Sequence, residues 1–131
     1  MLKRTVKHKR WLFALGIAAV GLVGLQLAQG ADDDLDSLKV CKETQKLLLE
    51  NSFVRVIDDV IAPGVAEPKH RHSHGLVVTL SDSDMETKSY PIGTVILSHP
   101  RFGAVSWNEQ MMHETRNVGT VTAHFLRIDI K

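Results

Sequence analysis

The sequence predicts an all-β domain, a sandwich or barrel of short strands, in the part of the chain that follows residue 52. Short runs of β-branched and apolar residues recur there, and clusters of Pro, Gly, Ser and Asp separate them. No long stretch with helical periodicity lies between these runs. This combination is typical of β-sandwiches and β-barrels.

The first element is predicted to be a signal helix over residues 1–30. Residues 1–10 carry five Lys or Arg and no acid, residues 11–27 are uncharged, and Ala-Gln-Gly follows at 28–30. A basic start, an apolar stretch and a small-x-small site form a secretory signal, which we expect to be cleaved after Gly30, with cleavage after Ala28 or Ala31 as the alternatives. The alternative is an uncleaved anchor, the only membrane link that the sequence suggests. In either case we expect an exported protein, periplasmic or secreted.

The net charge of +1 averages two unlike parts of the chain. Beyond residue 30 there are 11 Lys or Arg and 15 Asp or Glu, a formal charge of −4. An acidic domain argues against nucleic acid as a partner. The single cysteine excludes an intramolecular disulfide and any site with several Cys ligands. We expect a leader over residues 31–46 and the β-barrel domain over residues 47–131.

The start of the domain admits two interpretations. Leu35, Leu38 and Cys41 fit a helical stripe, whereas the three leucines at 47–49 fit the beginning of a buried strand. Cys41 itself is expected to be a small buried hydrophobe, with an intermolecular disulfide as the alternative. The strands predicted after it cover residues 53–57, 76–80, Met85–Tyr90, 95–97, 104–107 and 122–130.

The last of these strands alternates with period two. His124 shares a face with aliphatic residues, whereas Arg127 and Asp129 share the opposite face. Because charged side chains favour solvent, we expect His124 to point inward as a hydrogen-bonded core histidine.

Histidines are concentrated at 70–74, where His70, His72 and His74 alternate after a Pro-Gly turn. Side chains at i and i+2 of a strand project from the same face, so two imidazoles at this spacing can bind one metal ion. His74 extends the series if the strand continues, although Gly75 places a strand break close to it. A solvated strip of basic residues is the alternative. His113 supplies the third nitrogen that a stable site needs.

These residues resemble the cupin family. Its first motif has the form G-x5-H-x-H-x3-4-E-x6-G, and Gly64, His70 and His72 match its start with the correct spacing. Its second motif has the form G-x5-P-x-G-x2-H-x3-N, and His113 and Asn117 match its end. The resemblance covers residues 47–131. This part of the chain looks like the small single-domain exported cupins.

The sequence also departs from the cupin motifs. The expected Glu ligand falls at Leu76 or Val77, and the Pro and Gly of the second motif are Glu109 and Met111. The resemblance therefore implies a three-His site of His70, His72 and His113. His74, and beyond it His124 or Glu109, are candidates for a fourth ligand.

The resemblance implies a double-stranded β-helix, or jelly-roll barrel, with a divalent metal between its two sheets. Imidazole ligands do not select among Fe, Mn, Ni, Zn and Cu. The expected function is a module that binds the metal ion or a small molecule. The alternatives are a metal-dependent oxygenase or isomerase acting on a small molecule, and a metal-free structural cupin. Cupins often dimerise through sheet edges, so a homodimer is a further option.

Overall fold

The computed structural model describes residues 34–131, and the predicted signal helix lies outside the described residues. One short helix and nine strands follow one another along this part of the chain. They are α1 (Ser37–Val40), β1 (Gln45–Glu50), β2 (Val54–Ile61), β3 (Ala66–His72), β4 (Gly75–Thr79), β5 (Met85–Tyr90), β6 (Thr94–Ser98), β7 (Val105–Asn108), β8 (Met111–Asn117) and β9 (Ala123–Ile130). Within residues 34–131, no helix is long and apolar enough to span a membrane.

The strands form two antiparallel sheets that face each other. One sheet has five strands in the order β1-β2-β9-β4-β7, and the other has four in the order β3-β8-β5-β6. Strands that are neighbours in a sheet are therefore mostly distant in sequence, as in a jelly roll. The predicted all-β class and the barrel architecture are confirmed.

The segment before β1 packs against the barrel. Asp36 caps α1 by accepting from the Leu38 amide, and its carboxylate also forms a bidentate ion pair with Arg55 of β2. The Arg71 amide of β3 donates to the Leu35 carbonyl at 2.8 Å. Part of the expected leader thus covers the outer edge of β3. Cys41 is buried, as expected.

The prediction that the leucines at 47–49 begin a buried strand is wrong in one respect. They lie in β1, which is a strand as expected, but their side chains are 40%, 53% and 48% exposed rather than buried. β1 is the edge strand of the five-stranded sheet, and Gln45 is its only buried residue. The apolar run therefore indicated a strand here, but it did not indicate whether the side chains are buried.

The orientation predicted for β9 is wrong. Arg127 and Asp129 are buried at 4% and 5% exposure, together with Ala123, and they face the interior. His124 lies on the other face, where its Nε2 is 2.7 Å from Asp58 Oδ1 and its side chain is 38% exposed. The prediction failed because it assumed an apolar interior. The buried apolar core of the described residues is small, namely Cys41, Ile57, Ile61, Met85 and Ala123.

The close approach of β4 to β9 requires Gly75. A Cβ atom at this position would clash with the backbone carbonyl oxygen of Ile128 and would lie 3.1 Å from Asp129 Cα. Gly75 pairs with Asp129 in the β4–β9 register, so this contact also sets the position of Asp129. Glycine is needed here to let two backbones approach, and not for a positive φ.

We predict that Gly75→Ala destabilises the protein by about 3 kcal/mol, because the new methyl group must displace backbone rather than a flexible side chain. Urea unfolding followed by circular dichroism would measure the loss. Ser73→Ala, two residues upstream and exposed, is the matched control and should change stability by less than about 0.5 kcal/mol. Equal stability of the two variants would contradict the prediction.

Candidate metal centre

The three histidines of the predicted site come from two neighbouring strands. His70 and His72 alternate on β3, and His113 lies on β8 directly opposite His70 in the register. His70 and His72 are buried at 0% and 3% exposure, and His113 is partly buried. Strand alternation thus turns both β3 imidazoles inward, and the β3–β8 pairing brings the third one to them.

The Nε2 atoms of the three imidazoles converge. His70 Nε2 lies 3.1 Å from His72 Nε2 and 2.9 Å from His113 Nε2. Metal–nitrogen bonds to histidine are about 2.0–2.1 Å long, so nitrogens this close together can share one ion. The structure therefore brings together three of the four predicted site residues.

The partners of the opposite ring nitrogens determine which Nε2 atoms carry a lone pair. His70 Nδ1 donates to the Pro68 carbonyl at 2.7 Å, and His72 Nδ1 donates to Asp129 Oδ2 at 3.3 Å. In a neutral imidazole the other nitrogen is then an acceptor. Two lone pairs consequently face each other at 3.1 Å between His70 and His72. A cation shared by the Nε2 atoms removes this repulsion, so the donor set fits a metal ion.

The pKa values favour the neutral form that metal binding requires. Burial lowers the pKa of His72 to about 4, although the hydrogen bond to Asp129 acts in the opposite direction. Burial and the neighbouring His70 and His72 lower the pKa of His113 to about 2. At neutral pH both imidazoles are uncharged and available as ligands.

A buried ion pair supports His72 from the opposite sheet. Arg127 Nε donates to Asp129 Oδ1 at 2.6 Å, and Arg127 Nη2 donates to the Ser73 carbonyl at 2.7 Å. Burial alone would raise the pKa of Asp129, but the His72 hydrogen bond and the Arg127 charge lower it overall. Asp129 therefore remains an anion that orients the His72 ring. Carboxylates in this position commonly orient metal-binding histidines.

A second group of possible ligands overlaps the first. Cys41, Glu67 and His70 have ligand atoms within 4.8 Å of one another, and Cys41 Sγ lies 3.2 Å from His70 Nδ1. Burial, together with the Glu67 charge, raises the pKa of the Cys41 thiol. Because metals bind the thiolate, a thiol that stays protonated is a poor ligand. The three-His group is therefore the better centre.

The centre opens onto a cavity of about 510 Å³ between the sheets. His72 and His113 line it, and its other walls mix apolar side chains such as Phe125 with hydroxyl, amide and charged groups. A volume of this size suits a small organic molecule.

Two carboxylates also line the cavity, and sequence reasoning gave neither a role. Glu67 on β3 is 2% exposed, and Asp59 on β2 has a buried Oδ1 without a hydrogen-bond partner among the described residues. Burial and the neighbouring Glu67 raise the pKa of Asp59 to about 9. The cupin motif places its acid downstream of His72, where the sequence has Leu76 and Val77. Glu67 precedes the histidines.

The remaining candidates lie away from the centre. His74 is exposed after the end of β3, and its ring centroid is 5.7 Å from that of Trp107. His124 pairs with Asp58 on the outer face of β9. Glu109 is exposed and accepts a hydrogen bond from Trp107 Nε1. None of these three belongs to the group of possible ligands around His70.

Solved structures with the same architecture include cupins. The chain is similar to a cupin domain from Bordetella pertussis, with 25% identity and a TM-score of 0.61 over 66% of this chain and 91% of that one. It is also similar to a Klebsiella pneumoniae protein with a double-stranded β-helix domain, at 18% identity and a TM-score of 0.53 over 66% and 74% of the two chains. A third similar structure is an RmlC-like cupin family protein from Methanocaldococcus jannaschii, at 14% identity and a TM-score of 0.52 over 66% and 80%. No protein-family model and no curated protein sequence matches the chain.

We predict that Asp59→Asn stabilises the metal-free protein at pH 7–8. The unfolded chain releases the Asp59 proton near pH 3.8, whereas the folded chain holds it to about pH 9. Unfolding therefore releases a proton between these values, and through Asp59 the free energy of unfolding falls by up to about 1.4 kcal/mol for each pH unit gained. Asparagine removes this slope.

Urea unfolding at pH 5, 7 and 9 in the presence of a chelator would test this prediction. The matched control is Glu43→Gln, an exposed carboxylate just before β1. We expect the control to keep the wild-type pH dependence. An Asp59→Asn variant with the wild-type slope would disprove the assignment.

Proposed function

Because the domain has the cupin fold, a double-stranded β-helix, we propose that it binds one divalent transition-metal ion at His70, His72 and His113. The adjoining cavity takes a small molecule, and the protein performs this role outside the cytoplasm. The proposal keeps the three-His site that the sequence predicts and adds the cavity next to it as the place where a small molecule binds.

The convergence of the three Nε2 atoms carries this proposal. The 3.1 Å separation places the lone pairs of His70 and His72 against one another inside the protein, and His113 Nε2 lies 2.9 Å from the same His70 nitrogen. Buried polar groups are normally satisfied by a partner, and a metal ion is a partner that all three can share. The Asp129 carboxylate beyond His72 gives this donor set the outer support expected of a metal centre.

The ion, when bound, supplies a positive charge and open coordination positions for a ligand in the cavity. His72 and His113 line that cavity, so a molecule inside it contacts the metal-binding side of the barrel. Imidazole donors accept Fe, Mn, Ni, Zn or Cu, and the histidines alone do not choose among them.

A metal-dependent enzyme, an oxygenase or an isomerase, is the second candidate function. The observation that favours it is the pair of buried carboxylates, Glu67 and Asp59, on the cavity wall. A module that only binds a ligand does not require acids that are costly to bury. Turnover of a small molecule that depends on the bound metal would establish the enzyme, whereas stoichiometric binding without turnover would favour the binding module.

We predict that the full chain, purified without a histidine tag and stripped with a chelator, binds about one equivalent of Zn²⁺ or Co²⁺. Replacing His70, His72 and His113 by Ala should abolish this binding. The melting temperature should rise on metal addition in the wild type alone, since an ion that binds only the folded state stabilises it. Isothermal titration calorimetry and thermal melting would measure both effects.

The matched control is a second triple variant, His74→Ala, His99→Ala and His124→Ala, which removes partly or fully exposed histidines outside the centre. It should bind the metal as the wild type does. The single variant His72→Gln covers the case in which the first triple variant does not fold. Equal metal binding by the two triple variants would overturn the proposal, as would a wild type that binds no metal.

Export is supported by the charge and hydropathy pattern of residues 1–30. We predict that the chain, expressed with its own N-terminus in a Gram-negative bacterium, leaves the cytoplasm and that its mature form begins at Ala31. Cell fractionation followed by N-terminal sequencing would test this. A chain that lacks residues 2–30 is the control and should stay in the cytoplasm. Intact precursor in the membrane fraction would indicate the anchor, and intact precursor in the cytoplasm would contradict export.

A further inference from the structure

The outer face of the five-stranded sheet carries apolar residues on every strand. In the strand registers, one residue of each strand lies beside one of the next and forms a continuous row, which from β1 to β7 is Leu49, Val56, Ile128, Leu76 and Trp107. The rows on either side of it contain further apolar residues, namely Leu126, Val78 and Val105 on one side and Val54 and Ile130 on the other. We call this surface the outer apolar face.

These side chains point away from the interior of the barrel. Cavity-lining residues alternate with them along three of the strands, namely Phe125 and Arg127 on β9, Val77 and Thr79 on β4, and Ser106 and Asn108 on β7. Successive side chains of a strand point to opposite faces, so the rows of the outer apolar face lie on the outside. Val105 and Trp107 are 61% and 51% exposed there.

The outer face of the four-stranded sheet has a different character. On its two central strands, β5 and β8, Lys88 pairs with Glu114 and Glu86 pairs with Arg116. Lys88 Nζ lies 3.2 Å from a Glu114 carboxylate oxygen. Alternating charges of this kind suit a surface in contact with water. The two outer faces of the barrel therefore indicate different surroundings, water for one and an apolar partner for the other.

The interior of this barrel provides little apolar burial of its own. The buried apolar core of the described residues consists of five side chains, and the inner faces of the strands surround a cavity with many polar groups. Burial of apolar surface is the main favourable contribution to folding. A domain of about a hundred residues with so small a core therefore gains stability when another surface covers its outer apolar face.

We propose that the outer apolar face packs against the same face of a second copy of this chain, in a symmetric dimer. Such a contact requires a surface that is complementary to itself. Both ends of the face carry both signs of charge. Lys46 pairs with Asp58 in the β1–β2 register at one end, and Lys131 Nζ donates to Glu50 at 2.6 Å at the other. A second copy therefore meets no run of charge of a single sign.

The size of the face also suits a dimer. Five strands about 4.8 Å apart and three rows about 6.7 Å apart give a footprint on the order of 500 Å². A stable interface buries about 800 Å² on each partner and surrounds an apolar centre with a polar rim. The outer apolar face together with its charged ends meets both requirements. Trp107 donates from Nε1 to Glu109 at 2.8 Å, so burial of its ring leaves no unpaired donor.

This contact joins two sheet faces and is distinct from the pairing of sheet edges that the family resemblance suggests. It also does not depend on the metal site, because the histidines of that site lie on the inner face of the other sheet. The inference therefore stands or falls separately from the proposed function.

The test compares the full-length wild type with Val105→Lys by sedimentation equilibrium. Val105 is exposed on the edge strand β7, so the substitution spares the fold. The wild type should be a dimer, and the variant should have a dissociation constant about 10- to 100-fold higher, because dimerisation would bury an unpaired charge. The matched control is Leu97→Lys, which changes an equally exposed residue on the outside of β6 in the other sheet. The control should dimerise as the wild type does.

A second measurement leaves the outer apolar face unchanged. With Trp11 replaced by Phe, Trp107 is the remaining tryptophan of the chain. Its fluorescence emission should move to shorter wavelength as the protein concentration rises through the dissociation constant, because the ring leaves water. The same titration with Leu97→Lys should give the same shift.

Three results would overturn the inference. The first is a monomeric wild type, and a monomer that binds neutral lipid vesicles less well after Val105→Lys would assign the face to a lipid surface instead. The second is a dimer that Val105→Lys leaves intact, as expected for association through residues 1–30, which all variants share. The third is a dimer that Leu97→Lys weakens as much as Val105→Lys does.

Discussion

The arrangement of the centre depends on the ion pair between Arg127 and Asp129 on the inner face of β9. Asp129 accepts a hydrogen bond from Nδ1 of His72 and thereby directs the Nε2 lone pair of that ring at His70. Arg127 keeps Asp129 anionic and joins it to the Ser73 carbonyl, just beyond the end of β3. One pair of charges thus connects the two sheets across the barrel. Breaking such a pair leaves a buried charge uncompensated, which is strongly unfavourable.

The same ion pair shows why part of the structure could be predicted from sequence and part could not. Turn residues and β-branched runs located most of the strands, because these signals are local. The predicted orientation of β9 was wrong because it placed the charged side chains in solvent. This barrel instead buries charged side chains around its cavity. β8 has no apolar alternation for a related reason, since its inner face carries His113, Thr115 and Asn117. A strand that lines a polar cavity does not show the hydrophobic pattern by which strands are recognised.

The part of the candidate site that lies within a short sequence motif could be predicted. The spacing of His70 and His72 on a strand predicts a shared face, and the structure has it. The inward position of Glu67 required knowledge of the register shift that β3 makes between Glu67 and His70, because a regular spacing of three from His70 would place Glu67 outside. Asp129 required the pairing of strands far apart in sequence. The positions of these two residues depend on strand pairing that no local sequence pattern predicts.

The register of β3 shifts between Glu67 and His70, and this bulge has a consequence for how the barrel tolerates a change in chain length. His70, His72 and His113 keep their mutual register whatever happens upstream of His70, because that register is set by the β3–β8 pairing downstream of the bulge. Three steps along β3 match two steps along β8 between the Glu67–Thr115 and His70–His113 pairs, so loss of one residue between 67 and 70 would leave two steps on each strand. Residues two apart on a regular strand share a face, so Glu67 would still point inward. A one-codon deletion would thus straighten this edge strand without turning the carboxylate or any of the three histidines out of the barrel.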